Sequence, residues 1–113
     1  MSEQASLIAL YNFLGVLFIA VGIPLARRIV PRNGLYGFRI PKTLRSDDVW
    51  YPANRYLGRR LIRCGQILLF GSLALWPFVG VLSASTIAGF GLALSVIPVT
   101  VAVIQSFAYV NRL

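Results

Sequence analysis

Charge in this chain is confined to one stretch, and the two long intervals without it dictate what the chain can become. No Asp, Glu, Lys or Arg occurs from Gln4 to Ala26, and none occurs from Cys64 to Asn111. Both intervals exceed the roughly 18 residues that separate membrane spans from buried core segments. Only 12% of the residues are charged and 58% are hydrophobic, whereas a soluble domain carries about a quarter charged residues. A soluble chain of 113 residues could not cover that much apolar surface. The second interval as one helix would extend about 72 Å, against a hydrocarbon core of about 30 Å, so it must divide. The division is predicted between Gly80 and Thr86, where Ser83, Ser85 or Thr86 can cap the next helix by accepting from its free N–H groups. The chain therefore reads as one all-α integral membrane domain over residues 1–113. Its transmembrane helices are predicted at about 5–26, 64–82 and 85–109, with a loop and an amphipathic helix over about 27–63.

Orientation follows from where the charge lies. Arg27 to Arg63 holds ten of the eleven Lys and Arg residues and two of the three acids, while Glu3 and Arg112 cancel. The positive-inside rule places this loop in the cytoplasm, the N-terminus outside and the C-terminus inside. A cleaved signal peptide is the competing reading of the first span, with Ala20-Val21-Gly22 as a passable cleavage site. Its charges run the wrong way, with Glu3 before the apolar stretch and Arg27-Arg28 after it.

Residue counts also remove whole classes of function. One cysteine, Cys64, and no histidine leave no ordinary zinc site and no Ser–His or Cys–His catalytic pair. The expectation is a non-enzymatic protein without cofactor or metal, whose basic charge serves topology and contact with membrane lipids rather than nucleic acid. Within the spans, Pro24, Pro77 and Pro98 each remove a backbone donor, and a kink is expected at Pro98. Small residues mark the faces along which helices approach: Ser85, Gly89 and Ala93 at four-residue spacing, Gly91 with Ser95, Gly15 with Gly22, and Gly65, Gly71 and Ala74. Such seams serve helices of one chain or of a homo-oligomer equally. Asn12, Gln66 and Gln105 are the polar side chains with most at stake. They are read as interhelical glue, with Gln66 and Gln105 near enough to bond to each other; a polar lining for a ligand path is the competing reading.

The segment from Pro31 to Arg55 carries most of the information. Asn33-Gly34 signals a turn, Gly37 adds a flexible point, and Pro41 forces Ile40 to be extended. Ser46-Asp47-Asp48 reads as a helix start, a hydroxyl cap followed by two acids where the macrodipole is positive. From there Trp50, Ala53, Leu57 and Leu61 keep a helical period while Arg55, Arg59 and Arg63 form a basic stripe. That pattern predicts an amphipathic helix lying in the membrane interface, with Trp50 at headgroup level. Pro52 is expected to bend it and Gly58 to allow a further bend before the second span. Arg39 is the candidate centre of the loop, flanked by Gly37 and Pro41, with Asn33, Thr43 and Asn54 organising its surroundings. Its planar fork suits a carboxylate of Asp47 or Asp48, as a structural latch, or a lipid phosphate or acidic partner group, as a binding residue.

Asn33, Gly37-Phe38-Arg39, Pro41, Thr43, Ser46, Trp50 and Asn54-Arg55 together resemble the signature of the SdpI family, named for a bacterial immunity protein against a secreted killing-factor peptide. The resemblance implies a multi-pass bacterial inner-membrane protein that protects its host from a membrane-active peptide toxin by binding at the membrane. In the founding case it also implies signalling through a bound repressor. Members of the family often carry His where this chain has Asn54, and the founding protein has additional membrane helices. A different class of function, an accessory or structural subunit docked on a larger membrane complex, fits the small-residue faces and minimal soluble mass equally.

Overall fold

The computed structural model describes residues 2–113. Three long helices run antiparallel in sequence order as a bundle of 51 × 22 × 19 Å. They are α1 (Glu3–Ala26), α3 (Asp47–Leu73) and α4 (Ala84–Asn111), with a single short turn, α2 (Pro41–Leu44), in the connection between the first two. The segments Glu3–Ala26, Asp47–Phe78 and Ala84–Asn111 are each long and apolar enough to cross a membrane. The chain is a multi-pass membrane protein of all-α class.

Each helix begins where a hydroxyl can satisfy a free backbone donor. Ser2 accepts from Ala5 N at 3.1 Å, Ser46 from Asp48 N at 3.1 Å, and Ser83 from Thr86 N at 3.2 Å. Of the three candidates for capping the last span, Ser83 is the one used. Pro77 has no N–H to continue α3, so the chain tightens after Leu73 into a 3-10 turn at Trp76–Phe78. The α4 helix continues through Pro98.

The central helix, α3, packs on both of its neighbours, and glycines set how closely. A methyl group at Gly22 would stand 2.6 Å from the Gly58 carbonyl oxygen, and one at Gly15 would stand 2.9 Å from that of Gly65. Each helix thus offers two notches seven residues apart, and the backbones meet at both. Gly91 of α4 similarly admits the ring of Tyr11, whose hydroxyl donates to Ala88 O at 2.8 Å. Ser85, Gly89 and Ala93, by contrast, point away from the bundle.

Two small clusters close the ends. Ile8, Leu75 and Ile87 pack together at one end beside a polar knot, in which Asn12 Nδ2 donates to Ser72 Oγ at 2.6 Å and Trp76 Nε1 donates to Asn12 Oδ1 at 2.8 Å. Phe38, Ala53 and Val110 pack at the other end, where the basic loop lies. Between them large apolar side chains such as Phe13, Phe70, Ile97 and Ile104 face outward, as a lipid-facing surface requires.

Three expectations need correction. The amphipathic segment is not a separate interfacial helix: Asp47 to Leu73 is one continuous helix. The helix runs unbroken past Gly58, whose bare Cα is met by the backbone of Gly22 on α1. Pro52 sits close to the helix start, where the one intrahelical bond it removes involves the carbonyl of exposed Asp48. Trp50 is fully buried against the loop rather than presented to lipid as an interfacial anchor. Finally, Gln66 and Gln105 do not bond to each other. Cys64 and Ile67 turn toward α4, which leaves Gln66, about 200° around the helix from Cys64, exposed on another side.

Candidate functional site

The residues singled out in the loop converge on the N-terminal half of α3. Asn33 folds its own turn: its Oδ1 accepts from Leu35 N at 2.8 Å and Tyr36 N at 2.6 Å, and its Nδ2 donates to Pro31 O and Tyr36 O at 2.8 and 2.9 Å. All four bonding capacities of the amide are used, so this residue is a local scaffold. The turn delivers Gly37 at φ 119°, in the left-handed region that glycine tolerates. A side chain there would also stand 2.7 Å from Asn54 Oδ1 and 3.0 Å from Trp50 Cη2.

Trp50 and Asn54, one turn apart on α3, form the floor beneath that glycine. Trp50 Nε1 donates to Val30 O at 2.7 Å, joining the start of the loop to the helix. Asn54 is 2% exposed; its Oδ1 accepts from Phe38 N at 2.6 Å, and its Nδ2 donates to Trp50 O at 2.9 Å. Thr43 completes the arrangement from α2. Its Oγ1 donates to Phe38 O at 2.7 Å and accepts from Ile40 N at 3.0 Å. The Phe38 peptide is thereby held on both sides, and its ring is aimed at α4, 5.0 Å from that of Phe107. Among the described residues no buried side-chain nitrogen or oxygen lacks a partner, the condition under which a buried polar network rigidifies rather than destabilises.

Arg39 does not form the expected latch to Asp47 or Asp48. It is exposed, and its Nε donates to Asn33 O at 3.1 Å. The latch to the acids belongs to Arg32, whose Nε lies 2.9 Å from Asp47 Oδ1 while its Nη1 donates to Leu44 O at 3.0 Å. Local geometry explains the exchange, since Arg39 is drawn back onto the Asn33 turn and Arg32 is left facing the α2–α3 junction. The terminal nitrogens of Arg39 are free for an external acidic group.

Three further residues matter that the sequence reading passed over. Lys42 Nζ donates to Val110 O at 2.8 Å, placing a cation on the negative end of α4. The Tyr36 hydroxyl donates to Val21 O of α1, and burial pushes its phenol above the usual tyrosine range. Tyr56 of α3 stacks on Tyr109 of α4 with ring centres 4.4 Å apart. All three contacts join residues distant in sequence, so no local pattern signals them. The outcome is a loop pinned to α1, α3 and α4 at once, forming a rigid basic end on the bundle.

Asn12 lies at the opposite end in the knot with Ser72 and Trp76, and Gln105 is half-buried beside Cys64. Neither meets the loop site. No curated protein and no solved structure matches the chain. The model of one protein family does match, over residues 29–109, which takes in the loop from Ile29 onward, α2, α3 and nearly all of α4. On that match the chain belongs to the SdpI/YfhL protein family.

Proposed function

We propose that this is a non-enzymatic protein of the bacterial inner membrane that protects its cell from a membrane-active peptide toxin by binding at the membrane. The observation that carries the reading is the fully bonded knot of Asn33, Gly37, Thr43, Trp50 and Asn54, which lies inside the family match and holds exposed Arg39 at its rim. A rigid platform with satisfied polar groups suits recognition of a partner rather than bond-making chemistry. The +8 net charge, concentrated at this end, supports a cytoplasmic loop with the N-terminus outside. The test is survival of cells with and without the protein when challenged with membrane-active peptides. Protection is expected from the wild type and its loss from Trp50→Ala at equal membrane level; no protection by the wild type against any peptide would overturn the reading.

A second reading, an accessory subunit of a larger membrane complex, is favoured by one feature. Ser85, Gly89 and Ala93 face outward on α4, and nothing lies within 4 Å of where a Gly89 side chain would be. A helix of another protein could approach closely there. Stable co-purification of a defined membrane partner in mild detergent is the outcome that would select this reading.

A further inference from the structure

The basic stripe of α3 is not uniformly solvated. Beside α4 it forms a cleft of about 280 Å³ lined by Arg28, Pro52, Arg55, Tyr56, Arg59 and Tyr109. An adjoining hollow of about 220 Å³ shares Tyr56 and Arg59 and adds Arg60 and Arg63. The chain has three acids, and none lines either space: Glu3 is at the far end, Asp47 pairs with Arg32, and Asp48 lies about two turns from Arg55. Among the described residues these five arginines have no carboxylate partner.

Two of them are nonetheless held in place. Tyr56 stacks on Tyr109 with ring planes 5° apart, and the Arg60 guanidinium lies 4.9 Å from the Tyr56 ring centre while its Nη2 donates to the hydroxyl at 3.1 Å. A cation over an aromatic ring is attracted and also fixed in orientation. Arg28 is the more telling case. It is the one non-glycine residue with positive φ, 61°, among the described residues. It follows the last turn of α1, where Arg28 N donates to Leu25 O and Ile29 N to Pro24 O. Helices that end this way ordinarily place glycine at that position, because a side chain there is strained. Here the position carries a guanidinium that sits 5.9 Å from the Tyr51 ring centre and lines the cleft.

Depth limits what can fill the site. Gly58 lies against Gly22, so Arg59 and Arg60 stand about one turn inward of the end of α1 and Arg63 about one turn deeper. At those levels α1 and α4 carry no charge. Arginines so placed snorkel toward the interface and seek an anion there. Phosphate matches the planar fork and accepts several such bonds.

We propose that the cleft between α3 and the end of α4 is a binding site for the phosphate of an anionic lipid headgroup, with Arg28, Arg55 and Arg59 as its donors and the Tyr109–Tyr56–Arg60 stack as its wall. The site is independent of any toxin. The full chain in neutral detergent, titrated with phosphatidylglycerol, phosphatidylcholine or inorganic phosphate, tests it by native mass spectrometry and thermal unfolding. Phosphatidylglycerol should bind in preference to phosphatidylcholine and raise the unfolding temperature. Arg55→Gln with Arg59→Gln should weaken its binding at least about tenfold, while Arg45→Gln, which removes an exposed charge outside the cleft, should leave it unchanged. Arg28→Gly should separate strain from binding: the lipid-free protein should be as stable as wild type or more so, yet hold the lipid several-fold more weakly. Equal weakening by Arg45→Gln, unchanged binding in both cleft variants, or full displacement of the lipid by millimolar inorganic phosphate would each overturn the proposal.

Discussion

Asn54 shows how much one amide can carry when its partners are far apart in sequence. Its Oδ1 is the acceptor for the buried N–H of Phe38, sixteen residues earlier. Asn54→Ala strands that donor, and a buried unpaired group costs about 1–3 kcal/mol. Gly37→Ala adds backbone strain and a collision with the same oxygen, so it should cost at least as much. Arg39→Ala removes one exposed bond to a carbonyl and should cost under about 1 kcal/mol. Thermal unfolding in detergent checks the ordering; a loss with Arg39→Ala as large as with Asn54→Ala would mean that Arg39 is a structural latch after all. The contrast also explains what could be read beforehand. The Asn33 turn was legible because its bonds reach only two or three residues. The partners of Asn54, Trp50 and Lys42 were not, since the pattern of a helix says nothing about which loop residue will be brought to it.

At the scale of the helices, period and charge announced three spans, while the course of α3 required the tertiary structure. Gly58 in isolation reads as a weak point. Set against Gly22 it is a contact point, and the stretch expected to lie along the interface continues without a break into the span. The two kinds of glycine should therefore separate by mutation. Gly58→Ala and Gly22→Ala drive a methyl into the opposing backbone and should cost about 3 kcal/mol, the upper end of overpacking penalties. Gly89→Ala meets nothing and should leave stability unchanged or raise it by about 0.5–1 kcal/mol through backbone entropy. Unfolding measurements on the three variants decide it, and equal behaviour would remove the notches as the basis of α1–α3 packing.

For the molecule as a whole, the concentration of charge at one end makes an orientation experiment decisive. In a Cys64→Ala background, single cysteines at Ser2 and Ser83 should react with an impermeant reagent added outside intact cells, and one at Ser46 should not. Labelling of Ser46 alone would invert the protein and place the basic end outside. The class of the fold was legible because a bilayer admits so few solutions to a long apolar run. The fastening of the loop was not, because it uses groups that the bundle brings together from the loop, α1, α3 and α4.

The paired notches of α1 and α3 also bear on biosynthesis. The α1 span leaves the ribosome before α3, and with no charge between Gln4 and Ala26 it can enter lipid with only the Asn12 amide and the Tyr11 hydroxyl awaiting partners from the later helices. The α3 helix has no such independence, since it carries Arg55, Arg59, Arg60 and Arg63 toward the span. Two notches seven residues apart fit α1 in one register: a slide of one turn would set Ile19 or Ile62 where a glycine belongs. Of these three helices, the one made before the others therefore offers the notches on which the next is aligned.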